Sequence, residues 1–499
     1  MKIAIYVAAL LIVCAPNFKN FAQCKDEPQL EKTSKVLKTE TFKLVAPVES
    51  SLVVKASAPG ASWAKKGAEA AVLSVFVDGK YNQDLILFAG ATTFEYHILL
   101  GRLEKGAHEI VVILNEARSA ANIKQVIVDA LSPDVFSLDY VPKQTSARRG
   151  SPDATDFENL QKAFAAESNA PFIYARPNAI DRFTDIPLVT YYELFDEPNR
   201  VTRIRYTTIF SNEDGGTPAA ALMARWGRLT DIEWVYEIEL KDNQIISEIY
   251  QAANHQTLEF KGRKVFGSHP LIFTTTDNNN FSDAGCSALR SAPAPVRANL
   301  TAGSRETMME KFPWTYRVMA EEASRENRIN PTKIDAFSIA DPLDYLYAEI
   351  YFEPTASAIA LAVETPDGKN VTSDAGYALL RVERGGYSRI ALRLPPSAFQ
   401  QTLPKTININ CYNAKAEAAE PSFCQKVNLL KIIRLGADYQ LQEIKLKAAP
   451  QNIKAGETAA FRFLKSFFNK NKLSRSGLSK IVKLRQPQKA SLDAGWFCF

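Results

Sequence analysis

RIRYTTIFSNEDGGTPAAALMARWGRLTDIEWVYEIEL, residues 203–240, reads as two strands joined by a polar and then small-residue connection. Strand side chains alternate between faces. Ile232, Trp234, Tyr236, Ile238 and Leu240 therefore form one apolar face, and Asp231, Glu233, Val235, Glu237 and Glu239 form the other. Antiparallel pairing sets Arg203 and Arg205 opposite Glu237 and Glu239. Cross-strand ion pairs of that kind contribute roughly 0.2–1 kcal/mol each. With the outer carboxylates so explained, Asp231 and Glu233, at the loop end, are the better site candidates.

Working outward, 499 residues exceed what one core accommodates and predict about three domains. Hydrophobic content of 46% with 23% charged residues is globular composition, which excludes wholesale disorder. The net charge is +5, and residues 451–499 carry ten Lys or Arg against Glu457 and Asp493. The rest of the chain is thus slightly acidic, which argues against nucleic-acid binding.

The start reads as a signal peptide over residues 1–22: Lys2, then an apolar run from Ile3 to Ala15 too short to span a bilayer. A secreted or periplasmic protein without a transmembrane segment in the mature chain is expected. Cys411 and Cys424 flank a short connection between two strand-like runs and are the expected disulfide; the pairing of Cys24, Cys286 and Cys498 stays open. No Cys/His spacing suggests zinc.

A linker over residues 23–40 leads to closely spaced strand signals over 41–137, expected as a β-sandwich. Val77-Asp78-Gly79 marks a hairpin, and Gly106-Ala107-His108-Glu109-Ile110 a second turn. These two motifs, over about a fifth of the chain, resemble the jelly-roll modules attached to secreted carbohydrate-active enzymes. The resemblance implies a glycan-binding or spacer role, without carrying over a ligand residue. Trp63, read as a loop aromatic, is the candidate for stacking on sugar, with a place in a core corner as the alternative.

Residues 138–170 read as a linker with a short helix from Phe157 to Ser168, and 171–295 as a central β-domain in which AAALMARWG makes at most a helical turn. A linker with a helix broken at Pro313 occupies 296–332, a C-terminal β-sandwich 333–447, and a basic tail 448–499. The expected fold class is mostly β, with three β-sandwich-like domains in series and short helical linkers.

Candidate chemistry gathers in the central domain. Glu213 or Asp214, beside Gly215-Gly216, with Asp231 or Glu233 supplies paired carboxylates for acid–base work on a glycosidic bond. His255 and His269 are candidate acid–base or ligand groups. The run Thr276 to Asp283 offers Asp277, Asn279 and Asp283 as oxygen ligands for Ca²⁺, against a plain Asx-rich turn. No GxSxG, HExxH or phosphate loop occurs. The favoured expectation is non-catalytic binding of extracellular or envelope material, glycan first. The rivals are a carbohydrate-active hydrolase or lyase using Asp214, Asp231, Glu233 and His269, with Ca²⁺ as candidate ion, and a structural envelope protein held by its basic tail. Convergence of the named carboxylates on one site separates the first two.

Overall fold

A computed structural model describes residues 27–136, 154–176, 183–330, 332–395, 404–414 and 421–463, less 334, 336, 337, 367, 405 and 445. The expected signal peptide, Cys24, Cys498 and the tail beyond 463 lie outside the described residues. The fold is mostly β, built from several separate sheets. Its described helices are α1 (Ala154–Ser168), α2 (Ala219–Trp226), α3 (Thr307–Lys311) and α4 (Trp314–Arg325).

The first sheets are a four-stranded and a three-stranded one whose inner residues, Leu52 and Val54 against Val75 and Val112, share one core. Asp78 and Gly79 both take positive φ at the hairpin tip, and His108 closes the second turn on the Asp78 carboxylate at 2.7 Å. Two five-stranded sheets at the C-terminal end pack face to face around Leu346, Ile359, Ile390 and Ile407. Cys411 and Cys424 are bonded across this core, with Cα atoms 6.1 Å apart; Cys286 is disulfide-bonded as well.

Three features depart from the sequence expectation. The central region is a single 11-stranded mixed sheet rather than two facing sheets. AAALMARW forms a full two-turn helix, α2, because its small residues pack inward and Gly227 ends it in the left-handed conformation with its N–H on the Met223 carbonyl. The tail expected from residue 448 still contributes strands Gln451–Lys454 and Thr458–Phe463 to the last sandwich.

The sheets share a core. One core runs from Leu52 and Val75 through α2, Met308, Met309 and Val318 to Tyr345, Tyr347 and Ile433. Buried polar bolts reinforce it. Arg290 donates to the Asn82 and Tyr81 carbonyls at 2.8 and 3.1 Å, and Arg389 pairs with Glu349 at 2.8 Å and takes in the Tyr316 hydroxyl at 3.2 Å. The first ties strand Arg290–Ser291 of the central sheet to the first sandwich, and the second ties α4 to the last sandwich.

Candidate functional site

The strands of the opening stretch pair as expected, Arg203 opposite Glu239 and Arg205 opposite Glu237. Glu237 receives both guanidiniums, at 3.1 Å from Arg203 and 2.6 Å from Arg205. The regular alternation then fails. Tyr206 faces Tyr236 but Thr207 faces Trp234, so Val235 is an extra residue, a β-bulge. A one-residue slip inverts every side chain beyond it. Trp234 therefore joins Arg205 on the outer face, the guanidinium 5.3 Å from its ring, instead of the apolar face assigned by simple alternation. Glu233 turns to the inner face beside Thr208.

That inversion makes the site. Glu233, Asp231 just outside the strand and Glu213 on the loop after the preceding strand are all buried, at 8%, 1% and 5% exposure. Glu213 accepts the Thr217 N–H at 3.0 Å across the turn opened by Gly215 and Gly216. Asn279, in a left-handed conformation at φ 42°, donates to Asp231 at 3.1 Å. Gln251 donates to Glu233 at 2.5 Å and lies 3.1 Å from His255 Nδ1. The other ring nitrogen, Nε2, lies 3.0 Å from the Asn278 side-chain amide nitrogen, so amide N–H donors face both ring nitrogens and a neutral ring accepts from only one of them. The His255 side chain is 55% exposed and 3.9 Å from Glu233, and so marks the mouth of the site.

Charge balance decides the protonation. Arg228 lies 3.0 Å from Glu306 and 3.9 Å from Asp231, and Arg305 donates to the Ile232 carbonyl at 2.5 Å. Burial pushes Glu306 up, but Arg228 and Arg305 hold it below the usual carboxylate value. Loss of solvation lowers Arg305, yet Glu233 and Glu306 hold it above its usual value. Asp231 is raised well above the ordinary aspartate value, by burial first and then by Glu233 and Glu213. Glu213 is raised as well, again by burial first, against the pull of Arg228. Two guanidiniums stand among four carboxyls, and Asp231 and Glu213 are the two whose affinity for a proton is pushed up. Glu233 sits nearest the solvent-facing histidine. The cluster is chemically an acid and a base held together.

The other candidates fall elsewhere. Asp214 belongs to an adjoining ion network, clamped by Arg176 and by Arg328 at 3.1 Å, so its oxygens are occupied by guanidiniums. His269 is fully buried away from the cluster, with Nδ1 2.8 Å from the Ala170 carbonyl and Nε2 3.0 Å from Glu49; it is a seam residue between the first sandwich and the central sheet. Asp277, Asn279 and Asp283 do not converge. Asp277 pairs with Arg176 at 3.0 Å, Asn279 serves Asp231, and Asp283 accepts the Lys261 N–H at 2.8 Å. Among the described residues no group of three or more His, Cys, Asp or Glu is placed to hold a metal. Trp63 takes the core corner: it is 1% exposed, donates to Glu322 at 3.1 Å and lies under Arg325, which removes it from sugar stacking. Sequence reading alone did not bring in Arg228, Gln251, Arg305 or Glu306.

No protein family matches the sequence, and no curated protein matches it. Among solved structures, the C-terminal domain of EclA, a sugar-binding protein, is similar over 24% of this chain and 87% of its own length, at 17% identity and a TM-score of 0.16. A likeness at that score carries no argument about fold or ligand. Among the described residues no helix is long and apolar enough to cross a membrane.

Proposed function

We propose that this chain is an extracytoplasmic carbohydrate-active enzyme, a hydrolase or lyase whose acid–base centre is Glu213, Asp231 and Glu233. The observation that carries the reading is the enclosure of these three carboxyls at one loop end of the central sheet, with burial and mutual repulsion pushing two of them up. In this reading protonated Glu213 donates to the leaving oxygen and Glu233 accepts a proton from water or from the sugar ring. Asp231, deeper and tied to Asn279, is a positioning residue that stores a proton. His255 and Asn278 meet the substrate at the mouth. Placement outside the cytoplasm is supported by the signal-like start and the Cys411–Cys424 bond, which persists in oxidising compartments.

The test is incubation of the full chain with a polysaccharide panel, reading new reducing ends and unsaturated ends. Glu213→Gln and Glu233→Gln are each expected to lower the rate roughly 10²–10⁴-fold with unchanged thermal unfolding, and Glu239→Gln to leave it intact. Cleavage that persists in both site variants removes the proposal. A binding-only reading is favoured by one observation: Glu213, Asp231 and Glu233 each already hold an internal partner, Thr217, Asn279 and Gln251. It predicts that the wild type retains polysaccharide and cuts none.

A further inference from the structure

A second feature lies at the seam of the central sheet with the first sandwich. The segment from Ala292 to Ala294 adds itself to the edge of strand Phe94–Leu103, with Leu99 N–H on the Ala292 carbonyl at 2.8 Å and Ala294 N–H on the His97 carbonyl at 3.0 Å. Beside this junction is a cavity of about 480 Å³, within the roughly 300–1,000 Å³ typical of small-ligand pockets. One wall is aromatic. Trp314 stacks on Phe88 with centroids 5.0 Å apart and meets Phe94 edge-on at 5.4 Å, and Phe94 meets Tyr96 at 4.9 Å. The opposite side is polar, with Ser51, Asp134 and Glu167.

We propose that this cavity binds one or two units of an uncharged glycan, the sugar's C–H face against Trp314 and Phe94 and its hydroxyls on Ser51, Asp134 and Glu167. These groups are only partly shielded from solvent, and they offer hydrogen bonds that a hydroxyl-bearing ligand takes up and a wholly apolar one does not. An anionic sugar is disfavoured because no Lys or Arg lines the cavity while Glu95, Asp134 and Glu167 do. The Glu167 carbonyl accepts the Ala170 N–H at 3.4 Å, and its carboxyl lines the cavity. Burial first, then the Glu49 and Asp134 carboxylates, push its pKa up to about 8, so at neutral pH it is an uncharged donor rather than a counter-ion for a cation. The groups facing it are Glu49, with His269 beyond, Asp134 and the hydroxyl-bearing rings of Tyr192 and Tyr206. This inference is independent of whether the carboxylate centre is catalytic, and its test uses Glu233→Gln protein to keep substrates intact.

The experiment is titration of that full-length protein, followed by tryptophan fluorescence and calorimetry, with neutral gluco-, manno- and galacto-configured oligosaccharides, their uronate counterparts and tetramethylammonium. At least one neutral oligosaccharide is expected to saturate, with the uronate at least tenfold weaker. Trp314→Ala is expected to lose at least tenfold in affinity. Ser51→Phe, which fills the cavity from its rim, is expected to do the same if Trp314→Ala does not fold. Binding should weaken as pH rises through about 8, whereas Glu167→Gln, still a donor, should keep its affinity there. Saturation by tetramethylammonium or by uronates in preference, no saturation by any neutral sugar, or affinity unmoved by filling the cavity each overturns the proposal.

Discussion

Replacing Glu167 by Gln should stabilise the protein at neutral pH, and the size of the gain follows from its pKa. In the folded chain that pKa is about 8, through burial and then Glu49 and Asp134, against an ordinary 4.5. A carboxyl whose folded pKa lies above its unfolded value contributes stability that is fully present below the unfolded value. That stability is lost as pH rises through the folded one. The window is therefore from about 4.5 to about 8. At pH 7 the folded protein keeps a proton that the unfolded chain has released, at about 1.4 kcal/mol for each pH step, or roughly 3 kcal/mol in all. Because Glu167 retains some contact with solvent through the cavity, this is an upper figure. Glutamine has no proton to hold, so the variant should gain up to that amount at pH 7 and nothing at pH 4.5. Calorimetric unfolding of both proteins across pH 4.5 to 8.5 reads the difference directly. Parallel curves across that range, or a variant less stable than wild type at pH 7, would refute the assignment of a raised pKa and the burial behind it.

Three further outcomes follow from the packing. Arg389→Met leaves Glu349 buried without its guanidinium, a loss of roughly 3–5 kcal/mol in denaturant titration. Reduction of Cys411–Cys424, which closes a loop of sequence separation 13, should cost about 3 kcal/mol in the chain-entropy model, read as a lower unfolding temperature of the last sandwich under reducing conditions. Trp63→Ala should cost roughly 3–5 kcal/mol in the same assay while leaving oligosaccharide affinity unchanged, since the ring is sealed under Arg325; a lost affinity with intact stability would restore Trp63 as a ligand contact.

Much of the fold was legible because it rests on local signals. Period-two alternation and opposed charge placed Arg205 against Glu237, and two strand-like runs ending in cysteines placed the disulfide. The break came at Val235. A bulge inserts one residue without any compositional mark, so alternation carried Trp234 to the wrong face and hid the inward turn of Glu233. The last strand, Thr458–Phe463, was obscured because the basic residues after it dominate the composition of the whole segment. The carboxylates were legible as a set, but their partners were not. Arg176, Arg305 and Arg328 come from segments far apart in the chain, and only the folded backbone brings them to the turn at Asn212–Asp214 and to the Ile232 carbonyl beside Asp231. The same long-range closure separates Asp214, saturated by two arginines, from Glu213, whose pKa burial pushes up.

The proton in that cluster is the centre of the account, and infrared difference spectroscopy tests it without knowledge of the substrate. Full-length protein at neutral pH should show the carbonyl stretch of protonated carboxylic acids. The band should diminish in Asp231→Asn and again in Glu213→Gln, with no change in Glu239→Gln. A spectrum in which all three variants match the wild type would mean that the carboxyls are ionised and merely paired, and would contradict an acid–base centre at this site.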